Sequence, residues 1–258
     1  MAIRLATLGS GSGGNATLVE GGGVRVLVDA GFSCRRLVQR LRFVGVDPAS
    51  VDAILLTHEH GDHLAGAAAF AASFGAPIYC TRGTAAAAGF AADGVTPVLV
   101  RDGEAFAIGT MQVRPFAVPH DAAETVGFVL EAGGVRAGYV TDLGHDPESV
   151  RSPLRGADLL VVESNHDVDL LRAGPYPEHV KARVLGRYGH LDNEASAAIL
   201  ADVAGRATRA IVLAHLSATN NQPALALAAA RRRLGRGAHP VPTLHPAAQE
   251  QPSPWFEA

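Results

Sequence analysis

The chain has 258 residues, of which 48% are hydrophobic and 18% charged, and its formal net charge is −3. That length can bury one large core or two small ones, the mild acidity excludes a global basic signature for nucleic acid, and no apolar run is long enough to span a bilayer. Cys34 and Cys80 are too few for a disulfide framework and read as buried or incidental thiols; the N-terminus enters a strand without a signal-peptide pattern, so the expectation is a cytoplasmic protein with no membrane contact.

Strands are predicted over Met1 to Leu8 and Ala16 to Glu20, around the glycine-serine run Gly9 to Asn15. Such a turn can present backbone N–H groups to an anion or simply close a hairpin, and it lacks the lysine of a P-loop. Val24 to Val28 is a further strand ending in Asp29, placed either to orient a metal-bound histidine or to cap a turn. Cys34 to Phe43 is a predicted helix whose Arg35, Arg36, Arg40 and Arg42 form a solvated face or a contact for an acidic partner.

Val51 to Leu56 is short and branched enough for a buried strand, and it runs into Thr57-His-Glu-His-Gly-Asp-His63. A helix is expected from Leu64 to Phe74, on the spacing of Leu64, Ala67, Ala71 and Phe74, so the cluster sits on a strand-to-helix loop. Imidazole and carboxylate are the ligands that hold zinc, manganese or iron. In an extended segment His58 and His60 point to the same side, while Asp62 and His63 lie beyond the Gly61 turn, so two metals can share the loop. The bland alternative is a histidine-rich polar loop.

Pro77 to Cys80 follows as a strand and Thr81 to Phe90 as a helix. Thr96 to Val100, Glu104 to Ile108, Met111 to Ala117, Val126 to Glu131 and Val135 to Val140 have the regular spacing of an antiparallel meander. Two of their ends are chemically loaded, one with His120 and Asp121, the other with Asp142 and His145. Asp158 to Val162 is a strand, Pro177 to Arg187 a helix, and Asp192 a good N-cap for a helix over Glu194 to Val203. Arg209 to Leu213 is the last clear strand, with His215 at its end, and Pro223 to Leu234 the last helix. Residues 1–235 read as one domain and 236–258 as a proline-rich tail, loosely ordered or packed as an extended arm. Strands then helices in each half suggest two sheets facing each other with helices outside, an α/β class.

The loaded strand ends together carry His58, His60, Asp62, His63, His120, Asp142 and His215. This set resembles the metallo-β-lactamase-fold hydrolase superfamily, whose HxHxDH motif is matched by residues 58 to 63. The resemblance implies a four-layer αββα sandwich. It also implies one metal on His58, His60 and His120, another on Asp62, His63 and His215, and Asp142 between them. The finer resemblance is to the YycJ/WalJ-type branch, on Gly9-Ser-Gly-Ser-Gly-Gly-Asn15, Glu163-Ser-Asn-His-Asp167, Gly189-His-Leu-Asp-Asn193 and His215-Leu-Ser-x-x-Asn-Asn221. Gly13 and Asp192 stand where relatives of that branch are expected to carry serine.

The branch implies a 5′→3′ exonuclease acting on DNA, with RNA as a lesser alternative, a role in mismatch repair, and two divalent ions, Zn²⁺, Mn²⁺ or Fe²⁺, that activate water. Asp62 would also orient the nucleophile, and His190 or His166 would deliver a proton to the leaving oxygen or else serve as hydrogen-bonding structure. Ser10, Ser12, Asn15, Asn220 and Asn221 are substrate-binding candidates by the same resemblance. Arginines of 35–42 or 183–187 would track a backbone. The competing readings are a hydrolase of another ester, thioester, lactam or small cyclic phosphodiester on the same scaffold, and a metal-binding regulator or redox protein. Asp62-His63 follows the hydrolase pattern, which argues against iron redox chemistry.

Overall fold

Period-two alternation sorts the apolar side chains of each strand onto opposite faces, and that sorting builds the layers. A computed structural model describes residues 2–92, 94–237 and 240–258. Its first sheet holds β1 (Ile3–Gly9), β2 (Ala16–Gly21), β3 (Val24–Val28), β4 (Ala53–Leu55), β5 (Ile78–Thr81) and β6 (Val98–Val100). Its second holds β7 (Phe106–Ile108), β8 (Met111–Ala117), β9 (Val126–Ala132), β10 (Val135–Val140), β11 (Leu159–Glu163), β12 (Ala210–Ala214) and β13 (Thr243–Pro246). The last strand, β14 (Phe256–Glu257), returns to the first sheet beside β1. The helices are α1 (Cys34–Phe43), α2 (Gly61–Leu64), α3 (Ala67–Phe74), α4 (Arg82–Ala87), α5 (Glu148–Leu154), α6 (Val168–Ala173), α7 (Glu178–Val184), α8 (Asn193–Val203) and α9 (Pro223–Leu234).

Ile3, Val26 and Leu55 of the first sheet meet Val113, Phe128 and Val161 of the second in a central core. Leu27 and Ile54 point the other way, under Leu37 and Leu41 of α1 and Phe70 of α3. Leu160 and Ile211 do the same on the second sheet, under Leu154 of α5, Leu200 of α8 and Ala230 of α9. This is the αββα sandwich. Among the described residues no helix is long and apolar enough to cross a membrane.

Three expectations need correction. The strand at 98–100 is not part of the meander: β6 pairs in parallel with β5 in the first sheet, because α4 makes the crossover that parallel pairing requires. The meander proper is β7 to β10. The helix expected over 64–74 breaks into α2 and α3 at Gly66, whose N–H donates to Ala30 O at 2.8 Å. A Cβ there would lie 2.0 Å from Phe32 O, so glycine is what lets the chain pass. Finally, Arg40 is neither solvated nor free for a partner. It is buried, lies 4.1 Å from the Phe32 ring and donates to Leu8 O and Gln249 O.

Two helices, α5 and α6, carry no expectation from sequence. The first contains Pro153 and no side-chain cap, and the second is six residues long, so neither shows a periodicity. The stretch 236–258 gives each sheet an edge strand: β13 runs parallel to β12 and β14 antiparallel to β1. Met1 of the first predicted strand, and Ala238 and His239 of that stretch, lie outside the described residues.

Candidate metal centre

Parallel sheets gather their chemistry at the carboxyl ends of the strands. Here Asp29 follows β3, residues 57–63 follow β4, Asp142 follows β10 and His215 follows β12, while Glu163 ends β11. His120 arrives from the end of β8. Asp29, Asp142 and His215 are the only non-glycine residues with positive φ among the described ones, at 63°, 59° and 55°. A left-handed conformation costs such residues of order 1–2 kcal/mol, and all three occur at this cluster.

The side chains fall into two triads, His58–His60–His120 and Asp62–His63–His215, each with ligand atoms within 4.8 Å of one another. Asp142 lies between them, with Oδ2 3.1 Å from His63 Nε2 and Oδ1 3.7 Å from His215 Nε2 and 3.8 Å from His120 Nε2. Partners at Nδ1 aim the rings. His63 Nδ1–H donates to Asp29 Oδ2 at 2.8 Å, and His58 Nδ1–H to Thr57 Oγ1 at 2.9 Å. Thr57 in turn donates its hydroxyl and its backbone N–H to Asp29. His120 Nδ1–H donates to Gly189 O at 3.3 Å. Each arrangement turns Nε2 inward, and such partners fix both tautomer and ring plane of a metal ligand.

Burial pulls the His58 imidazole well below its usual range, with the neighbouring His63 adding to the effect, and burial also lowers His120. A neutral ring is the form that binds metal. Burial opposes charge on His63 and His215 too, but carboxylates outweigh it. Asp142 and Asp29 hold His63 well above its usual value, and Asp142, with Asp62 and Glu163, lifts His215 to about 10. Burial likewise opposes the ionised form of Asp142, yet His215 and His63 keep its carboxyl well below the ordinary range. His58 Nε2 is buried without a hydrogen-bond partner. An orphaned group of that kind costs about 1–3 kcal/mol, and a divalent cation among these nitrogen and carboxylate donors would satisfy it. The residues fit divalent ions.

Beside the cluster lies Glu163, a carboxylate that the sequence marks only as the start of the Glu163-Ser-Asn-His-Asp167 block and to which it assigns no role. Glu163 is fully buried and accepts from His190 Nδ1–H at 2.7 Å and from the N–H groups of Leu143 and Leu191. Burial would raise its carboxyl, but His190 reverses the effect and leaves it at about 2. Glu163 and Asp142 in turn outweigh burial to raise His190. The His190 ring stacks on His215 with centroids 5.2 Å apart. The available signal was an acid closing the otherwise apolar run Leu159 to Val162.

The remaining candidates divide. Asn15 sits at the cluster, its Nδ2 3.0 Å from His63 Nε2 and its backbone N–H donating to Asp62 O at 2.7 Å. Ser10 is buried, donates to Asn15 Oδ1 and accepts from the His215 N–H, so it ties the glycine loop to the end of β12. Ser12 is exposed. Asn221 uses its amide on Ser164 O, Asn165 O and Asn193, and its Oδ1 on Asn193 and Gln222, leaving no donor for a ligand. Asn220 is buried with Oδ1 unpartnered. His166 is buried with both ring nitrogens unpartnered, burial lowers it, and it joins none of the metal-holding groups among the described residues. Cys80 is buried, and burial pushes its thiol to about 12.

A family profile described as "Beta-lactamase superfamily domain" matches residues 24–216. The exodeoxyribonuclease YycJ of Bacillus anthracis is 34% identical over 229 residues, covering 88% of this chain and 87% of that protein. The exodeoxyribonuclease WalJ of Streptococcus pneumoniae is 32% identical over 229 residues, covering 87% and 85%. Among solved structures, the metallo-beta-lactamase fold protein YhfI of Bacillus subtilis superposes over all of both chains with a TM-score of 0.75 at 16% identity, a likeness of fold.

Proposed function

The chain belongs to the beta-lactamase superfamily, as a hydrolase of the metallo-β-lactamase fold, and on that premise we propose that it is a metal-dependent nuclease, a 5′→3′ exonuclease acting on DNA in a repair setting such as mismatch repair. His58, His60 and His120 would hold one divalent ion and Asp62, His63 and His215 a second, with the Asp142 carboxylate between the two sets. Zinc and manganese suit these donors, as does ferrous iron. Such ions, when bound, supply an acidified water and offset the charge of a phosphate.

The observation that favours a phosphodiester is the Glu163–His190 pair. Glu163 Oε1 accepts from Nδ1–H of His190, which leaves Nε2 to give a proton beside the cluster. A 3′-alkoxide needs that proton to leave, whereas a thiolate leaves without one, so the pair suits phosphodiester over thioester substrates. Asp62, whose Oδ2 lies 3.3 Å from His215 Nε2, borders the same space and orients the attacking water. Likeness to exodeoxyribonucleases over most of the chain supports DNA as substrate.

The test is digestion of duplex DNA labelled at the 5′ or the 3′ end, with Mn²⁺ or Zn²⁺, beside an Asp62→Ala control. Progressive loss of the 5′ label that disappears in the variant is the expected result. Protein that carries two metals and cleaves neither DNA nor RNA would overturn the assignment.

A further inference from the structure

Between the buried Leu171 and the buried Gly189, residues 172–188 run outside the core and none of them is buried. They include all of α7, a seven-residue helix without a buried residue. A helix this short is not stable in water by propensity, and packing gives this one little to lean on. Its charge opposes that of the chain. Arg172, Lys181, Arg183 and Arg187 stand against one acid, Glu178, in a protein of formal net charge −3.

Two of these four cations already have company: Lys181 donates to Glu178 and to Arg172 O, and Arg183 pairs with Asp121. Arg187 is exposed, and its side chain makes no hydrogen bond or ion pair among the described residues. Next to it Tyr188 is 54% exposed, its ring edge-on to His145 with centroids 6.3 Å apart.

This end of the arm is fastened to the loops that carry the ligands. Tyr188 O accepts from the N–H of Asp121, one residue beyond His120, and Arg187 O accepts from His145 Nδ1–H at 2.9 Å. Gly144, two residues beyond Asp142, is pressed so closely that a Cβ there would lie 2.3 Å from Arg187 O. The chain then passes through Gly189 into His190. A free cation and a free aromatic face are thus held at fixed positions on the rim of the metal centre.

We propose that Arg187 and Tyr188 form the subsite that grips a single DNA strand entering the centre, Tyr188 stacking on a base and Arg187 holding a phosphate. The proposal rests on the nuclease reading above. A single strand is the occupant because only an unstacked base offers its face to an aromatic ring, and because the arm, fastened beside the metal centre, carries four cations against one acid in an acidic chain.

The test is fluorescence anisotropy with the full-length, Mn²⁺-loaded protein and a 5′-phosphorylated, 3′-fluorescein phosphorothioate oligonucleotide across a salt series. Arg187→Ala should weaken binding and reduce the slope of log affinity against log salt by about 0.7, the loss of one phosphate contact. Tyr188→Ala should weaken binding roughly tenfold with the slope retained, and Tyr188→Phe should restore it. Alanine variants that bind within twofold of a binding wild type would overturn the subsite while leaving the nuclease reading intact, and so would Tyr188→Phe as weak as Tyr188→Ala. Variants that lose their metal would assign the arm a structural role instead. A metal-loaded wild type that binds no oligonucleotide would remove the nuclease reading and this inference with it.

Discussion

Asp29 shows how much a single carboxylate can organise. It takes a left-handed φ that aspartate tolerates only at a cost, and in return accepts from Thr57 and His63 at once, so the rings of His58 and His63 are aimed by one residue. Asp29→Asn keeps a side chain that accepts that backbone but removes the charge. We expect metal affinity to fall about 10- to 100-fold, read by competition with a chromogenic chelator. His190 offers a sharper chemical test. His190→Ala should lower kcat on DNA by about 10²- to 10⁴-fold with metal content retained. The loss should shrink on a p-nitrophenyl phosphodiester, whose phenolate departs without a proton. Equal losses on both substrates would show that His190 does not serve as the acid. His58, His60, Asp62 and His63 were legible in sequence because they are neighbours in the chain. Glu163 was not, since its role depends on His190 standing 2.7 Å away across 27 positions.

At the scale of elements, the last stretch of the chain does more than its composition suggests. Gln249 accepts from Gly13 N–H and donates to Gly14 O, and Ser10 N–H donates to Ala248 O. The stretch therefore braces the loop that carries Ser10 and Asn15 against the cluster. Phe256 of β14 is buried in the central core. Phe256→Ala should destabilise the protein by about 3 kcal/mol, a fall in Tm of roughly 6–12 °C by calorimetry. A fall of less than a degree would mean that β14 contributes no packing. Helices α1 and α9 were legible to the residue because apolar spacing and caps agree there, with Ser33 accepting from Arg36 N–H in one and a proline opening the other. The break between α2 and α3 was hidden, since the obstacle at Gly66 is the carbonyl of Phe32, 34 positions earlier.

For the whole molecule, metals and protons compete. In the metal-free protein His63 is raised well above its usual value and His215 to about 10, so both rings hold protons at neutral pH. Loading with Zn²⁺ at pH 7 should release about two protons, measured by calorimetry in buffers of differing ionisation enthalpy, and apparent affinity should rise with pH. The metal-free protein should behave oppositely. A raised imidazole contributes stability that is fully present below its unfolded pKa near 6.5 and is lost as pH rises through about 10, so its urea midpoint should fall across that window. The metal-loaded form should be the more stable one at pH 8, by about 2.7 kcal/mol at a hundredfold excess over Kd. Sequence by itself determined what is local or ordered along the chain: strand and helix periods, the HxHxDH loop, and ligand types at successive strand ends. Only the tertiary structure decided which strands share a sheet, which asparagines face the cluster, which carboxylate holds His190, and that residues 172–188 stand outside the core. Those are contacts between distant positions, and their distances arise only when two sheets pack face to face.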